Sequence, residues 1–429
     1  MLKWCAIQPL TGGMYLGAEK AIGHPAEFII TYPGNGDPKL DKEGNVVSCG
    51  NEYNLMKYLD KVGRRPEYKI FNRSMFQDDE DMNPEILNHP VWTINPDKPL
   101  DYSNMDVCVA VPVCSGLSTA TIGTQASKNT RNCNMLWISQ YVLTVIKPKI
   151  YIFENAPTFM GTRGDYIREE LESIALHLGY SIDYYKTDTK FHDNCQTRKR
   201  TFIIFYKKVF APTMRYEHIE TNYDEYFSRI SPDATQKEPL NLEQINSVNY
   251  FCIEYLKNKF GDNWREAVNY DIFRYLLKND LFDEVDKYTQ DNELGTEKNR
   301  KFLTHFIQHF KYKISIGGGV YHALPNIIHD HKPIPAVMFK MVQSVIHPYE
   351  DRPLNIRELL HLMGMPDDYE LQGDTMKEYG KIGQNVPART AYWIVSEAIR
   401  SYNEDQFYEH PKKVRYFNNM KMKEERYLD

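Results

Sequence analysis

Short apolar runs alternate with stretches of helical spacing through the first 206 residues, and no other feature restricts the fold as tightly. "KWCAI" is followed by "PLTGGMYLGAEKAIG", a turn opening into a helix. "EFIIT" and "NVVSC" read as strands on either side of a turn-rich segment, and "NEYNLMKYLDKV" carries Leu55, Tyr58 and Leu59 at helical spacing. "DVCVAV" is a continuous apolar run of the kind a doubly covered parallel strand requires. The series continues with a helix over "NMLWISQYVLTVI" and a strand over "IYIF". It ends with a helix bearing Ile167, Leu171, Ile174 and Leu178 on one face and a strand over "TFIIFY". Strands alternating with helices imply an α/β domain with a mainly parallel sheet.

The alternation stops near Lys208. Residues 209–345 are helical and aromatic-rich and read as a second, smaller domain inserted in the first. Helical spacing returns in "NIRELLHLMGM" and "PARTAYWIVSEAIRSY", within 346–405, and the charged end 406–429 reads as a solvated terminus. The 31 tyrosines and 20 phenylalanines exclude a disordered chain. No apolar run is long enough to span a bilayer and no signal-peptide pattern opens the chain, so no membrane association is expected. Seven scattered cysteines with no CxxC pair argue against zinc or a disulfide framework; no metal is expected, and reduced thiols suit a cytoplasm. The net charge of −6 does not favour nucleic-acid binding, although a local basic face is what decides that.

Ligands of open α/β sheets gather at the carboxyl ends of the strands. There the first strand leads to Gly12 and Gly13, which permit close backbone approach or simply make a turn. "VPVCSGLS" places Cys114 just past a strand, as a reactive thiol or a small buried hydrophobe. "KPKIYIFENAPTFMG" ends a core strand on Glu154 and Asn155, where a carboxylate serves as a reactive group or simply as a helix cap or salt-bridge partner. In "CQTRKRTFIIFY", Gln196, Arg198 and Arg200 fall on one face of a strand, suited to holding an anion or facing solvent.

The order of these features resembles the cytosine-5 DNA methyltransferase family. "KPKIYIFENAPTFMG" is similar to its Glu-Asn-Val motif, "CQTRKRTFIIFY" to its Gln-x-Arg-x-Arg motif, and "VPVCSGLS" stands at its Pro-Cys-Gln loop. "RPLNIRELLHLMGMPDDYEL" and "KIGQNVPARTAYWIVSEAIRS" are similar to its last two motifs. The resemblance implies a Rossmann-like methyltransferase domain over 1–208, a largely helical target-recognition domain over 209–345, and a return segment over 346–405 that completes the catalytic domain. It further implies methyl transfer from S-adenosylmethionine to cytosine C5 in double-stranded DNA, with base flipping and a covalent bond from Cys114 to C6. Glu154 would hold N3 and the exocyclic amine, which asks for a carboxyl that can be protonated near neutral pH. Arg200 would contact O2, and Arg198 would position Glu154 or the thiolate loop. Ser118 and Arg131 of the closing loop, with Asn155 and Gln196, would contact the target. Gly12, Gly13, Glu52, Tyr53, Gln384, Asn385 and Val386 would bind the donor, Glu52 through both ribose hydroxyls; Glu52 could equally be a first-turn acid favoured by the helix dipole.

The chain departs from the family pattern where Gln8 replaces an aromatic, Leu10 the first glycine of the first motif, and Val113 and Ser115 the usual neighbours of the cysteine. An RNA (tRNA) cytosine-5 methyltransferase and a catalytically inactive nucleic-acid-binding relative stay open as alternatives. A monomer in a bacterial or phage-infected cytoplasm, in a restriction–modification setting, is expected. "SIGGGVYHALPNII" reads as a groove-facing loop or a plain surface turn, and His347 and Arg352 as phosphate contacts or packing residues.

Overall fold

The computed structural model describes residues 1–31, 38–40, 42–44, 46–70, 104–112, 117, 130–231, 247–315, 326–327, 333–337, 345–372, 375–404, 413–418 and 421–427. In chain order the first strands are β1 (Trp4–Ile7), β2 (Phe28–Thr31), β3 (Pro38–Leu40), β4 (Val46–Cys49), β5 (Glu67–Ile70) and β6 (Val107–Ala110). There follow β7 (Ile150–Asn155), β8 (Ser181–Asp188), β9 (Gln196–Thr197) and β10 (Lys199–Tyr206). Short pairs β11 (Asn326–Ile327), β12 (Ile334–Pro335) and β13 (Val345–Ile346) precede β14 (Lys413–Asn418) and β15 (Lys421–Tyr427). Helices α1 (Gly13–Ile22), α2 (Tyr53–Lys61), α3 (Thr130–Tyr141) and α4 (Asp165–His177) connect the strands of the first half.

The central sheet runs β15-β14-β8-β10-β7-β6-β1-β2-β5. From β5 through β2, β1 and β6 to β7 its strands are parallel, and β10 runs antiparallel between β7 and β8. Both faces are covered, as the continuous apolar runs require. Ala6, Val109, Ile152 and Ile204 face one apolar cluster with α1, α2 and the helix Ala388–Asn403 of the return segment. Their neighbours Cys5, Cys108, Phe153 and Phe205 face another with α3 and α4. The α/β fold with a mainly parallel sheet is therefore the one observed.

Three expectations change. The charged end was read as solvated, yet β14 and β15 form a hairpin whose first strand adds to β8, with Tyr416 level with Tyr184. "NVVSC" does not enter the central sheet: β4 pairs with β3, and β5 takes the edge beside β2. The inserted unit has its own apolar cluster from Val248 to Phe310, together with Ile346. Met214, Tyr223 and Tyr226 pack instead on the sheet-side cluster, so part of the stretch after 209 packs with the sheet. No helix among the described residues is long and apolar enough to cross a membrane.

Candidate active site

The register of β7 and β10 assembles the centre of the site. Because β10 runs antiparallel to β7, its amino end meets the carboxyl end of β7, with Thr201 opposite Asn155 and Phe202 opposite Glu154. This brings Arg200 beside Glu154, which is 4 % exposed and ion-paired through Oε1 to the Arg200 Nε. The guanidinium is further steered by Nη1 donating to the Lys199 carbonyl at 2.8 Å. A buried carboxylate and a guanidinium at one point offer an acceptor and several donors, enough to grip the polar edge of a planar ring. Parallel to β7 lies β6, with Ala110 level with Phe153, and β6 leads through Val111 and Pro112 toward Cys114. Cys114, Ser118 and the side chain of Arg131 lie outside the described residues, as does most of "SIGGGVYHALPNII".

Arg198 and Arg200 reach different partners; of the two expected roles of Arg198, positioning Glu154 gives way to the carbonyl contacts below, and the thiolate loop lies outside the described residues. The strand is interrupted at Arg198, between β9 and β10, and β9 pairs with β12 through Ile334 and Gln196. Arg198 is 1 % exposed and donates to the carbonyls of Val337 (2.5 Å), Gly383 (3.0 Å) and Asn385 (3.0 Å). Asn155 is also spent locally: its Nδ2 donates to Met135 Sδ at 2.7 Å and its Oδ1 accepts from the Ala156 amide at 2.8 Å, which fixes the turn into Pro157. Gln196 is fully buried, and among the described residues neither polar atom of its side chain has a hydrogen-bond partner.

The loop after β1 forms a second pole. Gln8 and Leu10 take left-handed backbone angles, φ 49° and 52°, and Gly12 follows at φ 107°. Gly13 is needed for close approach: a Cβ there would lie 1.8 Å from the Val386 carbonyl oxygen. The Gly13 amide donates to Asn385 Oδ1 at 2.9 Å, Thr11 Oγ1 to the Lys381 carbonyl at 3.1 Å, and Tyr369 OH to the Thr11 carbonyl at 2.6 Å. Asn385 and Val386 are thus fastened to this loop, whereas exposed Gln384 accepts from Asn51 Nδ2 at 2.9 Å. Glu52, just before α2, is completely buried, and burial pushes its carboxyl up to about 8 despite Thr31, the Leu10 amide and Tyr68 beside it. Buried Gln8 Oε1 has no hydrogen-bond partner among the described residues. Tyr53 opens α2, partly exposed, beneath the Lys57 ammonium at 5.7 Å.

Thr31, Tyr68, Tyr369 and Lys381 were missed in the sequence. Thr31 could have been found, as the polar residue that ends "EFIIT". Arg352 is clamped by Glu350 and Glu358, each at 2.8 Å, and His347 Nδ1 accepts the Tyr349 and Glu350 amides. A cavity of about 650 Å³ beside α1 is lined by none of the candidate catalytic or donor-binding residues. Its arginines are already matched, Arg64 with Glu19 (3.1 Å), Arg229 with Asp193 (2.9 Å) and Arg389 with Glu217 (3.6 Å).

Residues 81–400 match the family model described as C-5 cytosine-specific DNA methylase. The type II methyltransferase M1.HphI of Haemophilus parahaemolyticus is 23% identical over 356 residues, 81% of this chain and 82% of that protein. The type II methyltransferase M.Bpa9945I of Bacillus paralicheniformis is 23% identical over 352 residues, 70% of this chain and 72% of that one. The fold is shared with the crystal structure of a prophage-encoded DNA modification methyltransferase (E. coli), at a TM-score of 0.51 and 16% identity, covering 94% of this chain and 100% of that one.

Proposed function

This chain belongs to the C-5 cytosine-specific DNA methylase family, and from that membership we propose how it works as a DNA (cytosine-5-)-methyltransferase. Cytosine C5 is too poor a nucleophile to take a methyl group unaided. The Cys114 thiolate adds to C6, forming an S–C6 bond and moving an electron pair to C5. C5 then attacks the methyl group, whose bond to the donor's sulfonium sulfur would break to leave a neutral thioether; a base removes the C5 proton, the S–C6 bond breaks, and the thiolate and the 5,6 double bond return. Glu154 holds N3 and the exocyclic amine, and Arg200 holds O2 as negative charge builds on the ring. A stacked base cannot reach a buried pair at a strand end, so the cytosine is flipped out of the duplex. The observation that carries this reading is the buried Glu154–Arg200 ion pair at the end of β7, beside the strand that leads to Cys114.

The donor is S-adenosylmethionine, which supplies an electrophilic methyl group. The loop after β1 fits it: the buried carboxyl of Glu52, an acceptor with two oxygens, suits a ribose diol, and Gly12 with Asn385 and Val386 frames the loop beside it. The type II names of the relatives support a restriction–modification setting. The test is transfer of a labelled methyl group to mixed-sequence duplex DNA and to tRNA, with Glu154→Gln as control. We expect labelled DNA, unlabelled tRNA, and a loss of about 100-fold or more in the variant. Labelled tRNA alone would move the reading to RNA; an unimpaired Glu154→Gln would remove Glu154 from catalysis.

A further inference from the structure

We infer that Arg198 is a positioning residue for the donor pocket, holding the return segment against the loop after β1 rather than serving the target base. This rests on the reading of that loop as the S-adenosylmethionine site.

The side chain lies inside the protein and donates to three main-chain carbonyls from two distant parts of the chain. Two of them, Gly383 and Asn385, flank Gln384, so one planar guanidinium grips both sides of the turn that ends the helix Thr375–Gln384. Fixing that turn fixes Asn385, whose side chain reaches the other way to the Gly13 amide at 2.9 Å. Gly13 begins α1 and follows Leu10, Thr11 and Gly12, the loop beside Glu52. The path therefore runs from Arg198 through Asn385 to the wall of the donor pocket in two hydrogen-bonded steps. The third acceptor, Val337, follows β12, which pairs with β9. The same guanidinium thus ties the end of the inserted stretch to the return segment. Arg198 is itself anchored, its amide donating to Asp188 Oδ1 at 2.8 Å. Two residues on, Arg200 turns to Glu154. The two arginines divide the work, one on the donor side and one on the base side. A lysine at 198 keeps the charge but has no second nitrogen to hold the Val337 carbonyl, as Nη1 does, while Nη2 holds the carbonyls on either side of Gln384.

The experiment compares Arg198→Lys, Asn385→Ala and Arg200→Lys with the wild type. Donor Kd is measured by calorimetry, KM for the donor and kcat on DNA by labelled transfer, and folding by melting temperature. Arg198→Lys and Asn385→Ala should each raise donor Kd and KM by about tenfold, the effect of losing one or two hydrogen bonds to a charged group or buried amide. At saturating donor their kcat should stay within about threefold of wild type. Arg200→Lys should do the opposite, lowering kcat with donor Kd unchanged. A merely structural arginine would lower the melting temperature and the active fraction while the surviving protein bound donor normally; that result overturns the inference. If Arg198→Lys does not fold, Asn385→Ala decides, because it removes the next link without burying a lone charge. A wild type that fails to bind S-adenosylmethionine sinks the donor reading itself, whereas a binding wild type with unaffected variants sinks only this inference.

Discussion

Leu10 holds a backbone angle of φ 52° that side chains avoid, in the loop where the resemblance leads one to expect glycine. The turn survives the substitution, at a cost of about 1 kcal/mol for a residue with a Cβ. Since Leu10 also packs against the core, Leu10→Ala loses packing and keeps the strain, whereas Leu10→Gly loses the same packing and releases it. We expect the glycine variant to be more stable than the alanine variant by about 1 kcal/mol, the reverse of the usual order, as read from denaturation midpoints. Glu52 makes a second prediction. Its carboxyl rises from an ordinary 4.5 to about 8, so between those values the folded protein keeps a proton that the unfolded chain has lost. The stability it contributes is complete at low pH and falls as pH climbs to about 8. Melting temperatures across that window should slope downward in the wild type and flatten in Glu52→Gln. Ribose hydroxyls donating to the carboxylate favour its charged form, so donor affinity should rise with pH over the same window, and calorimetry in buffers of different ionisation enthalpy should detect proton release. A pH-independent affinity would separate Glu52 from the ribose.

Elements differ in how much of themselves they show in sequence. β1, β6 and β7 were legible because both faces of each strand are buried, which leaves continuous apolar runs. β8, "SIDYYKTD", was missed because Asp183 and Lys186 break that signal, although Asp183 is buried. The β14–β15 hairpin was missed because its residues are charged, and pairing to β8 is a backbone matter that composition does not record. Glu154 and Arg200 could be read from strand ends. The partners of Arg198 could not, because carbonyl oxygens carry no sequence signature. The same contrast separates two substitutions. Gly13→Ala drives a methyl group into the Val386 carbonyl and should cost about 1–3 kcal/mol while releasing the return segment, seen as lost donor binding. Trp264→Ala, in the core of the helical unit, should cost about 3–5 kcal/mol there and weaken DNA binding while donor affinity holds. Equal loss of donor binding in both variants would contradict the separate cores.

At the scale of the whole molecule, the sheet brings three distant stretches to one edge: the loop after β1, the end of β7 with the start of β10, and the return segment that closes over them. A formal charge of −6 spread over 429 residues says little about a substrate that is itself an anion; the family and the strand-end pair say more. The central claim is that a Cys114 thiolate attacks a flipped cytosine held by Glu154 and Arg200. The most direct measurement is covalent trapping on duplex DNA containing 5-fluorocytosine, where fluorine blocks the final elimination. We predict an adduct that survives a denaturing gel, requires S-adenosylmethionine, and is absent from Cys114→Ala. A preparation that binds the donor and methylates ordinary DNA yet leaves no adduct, or an adduct that persists in Cys114→Ala, would contradict the account.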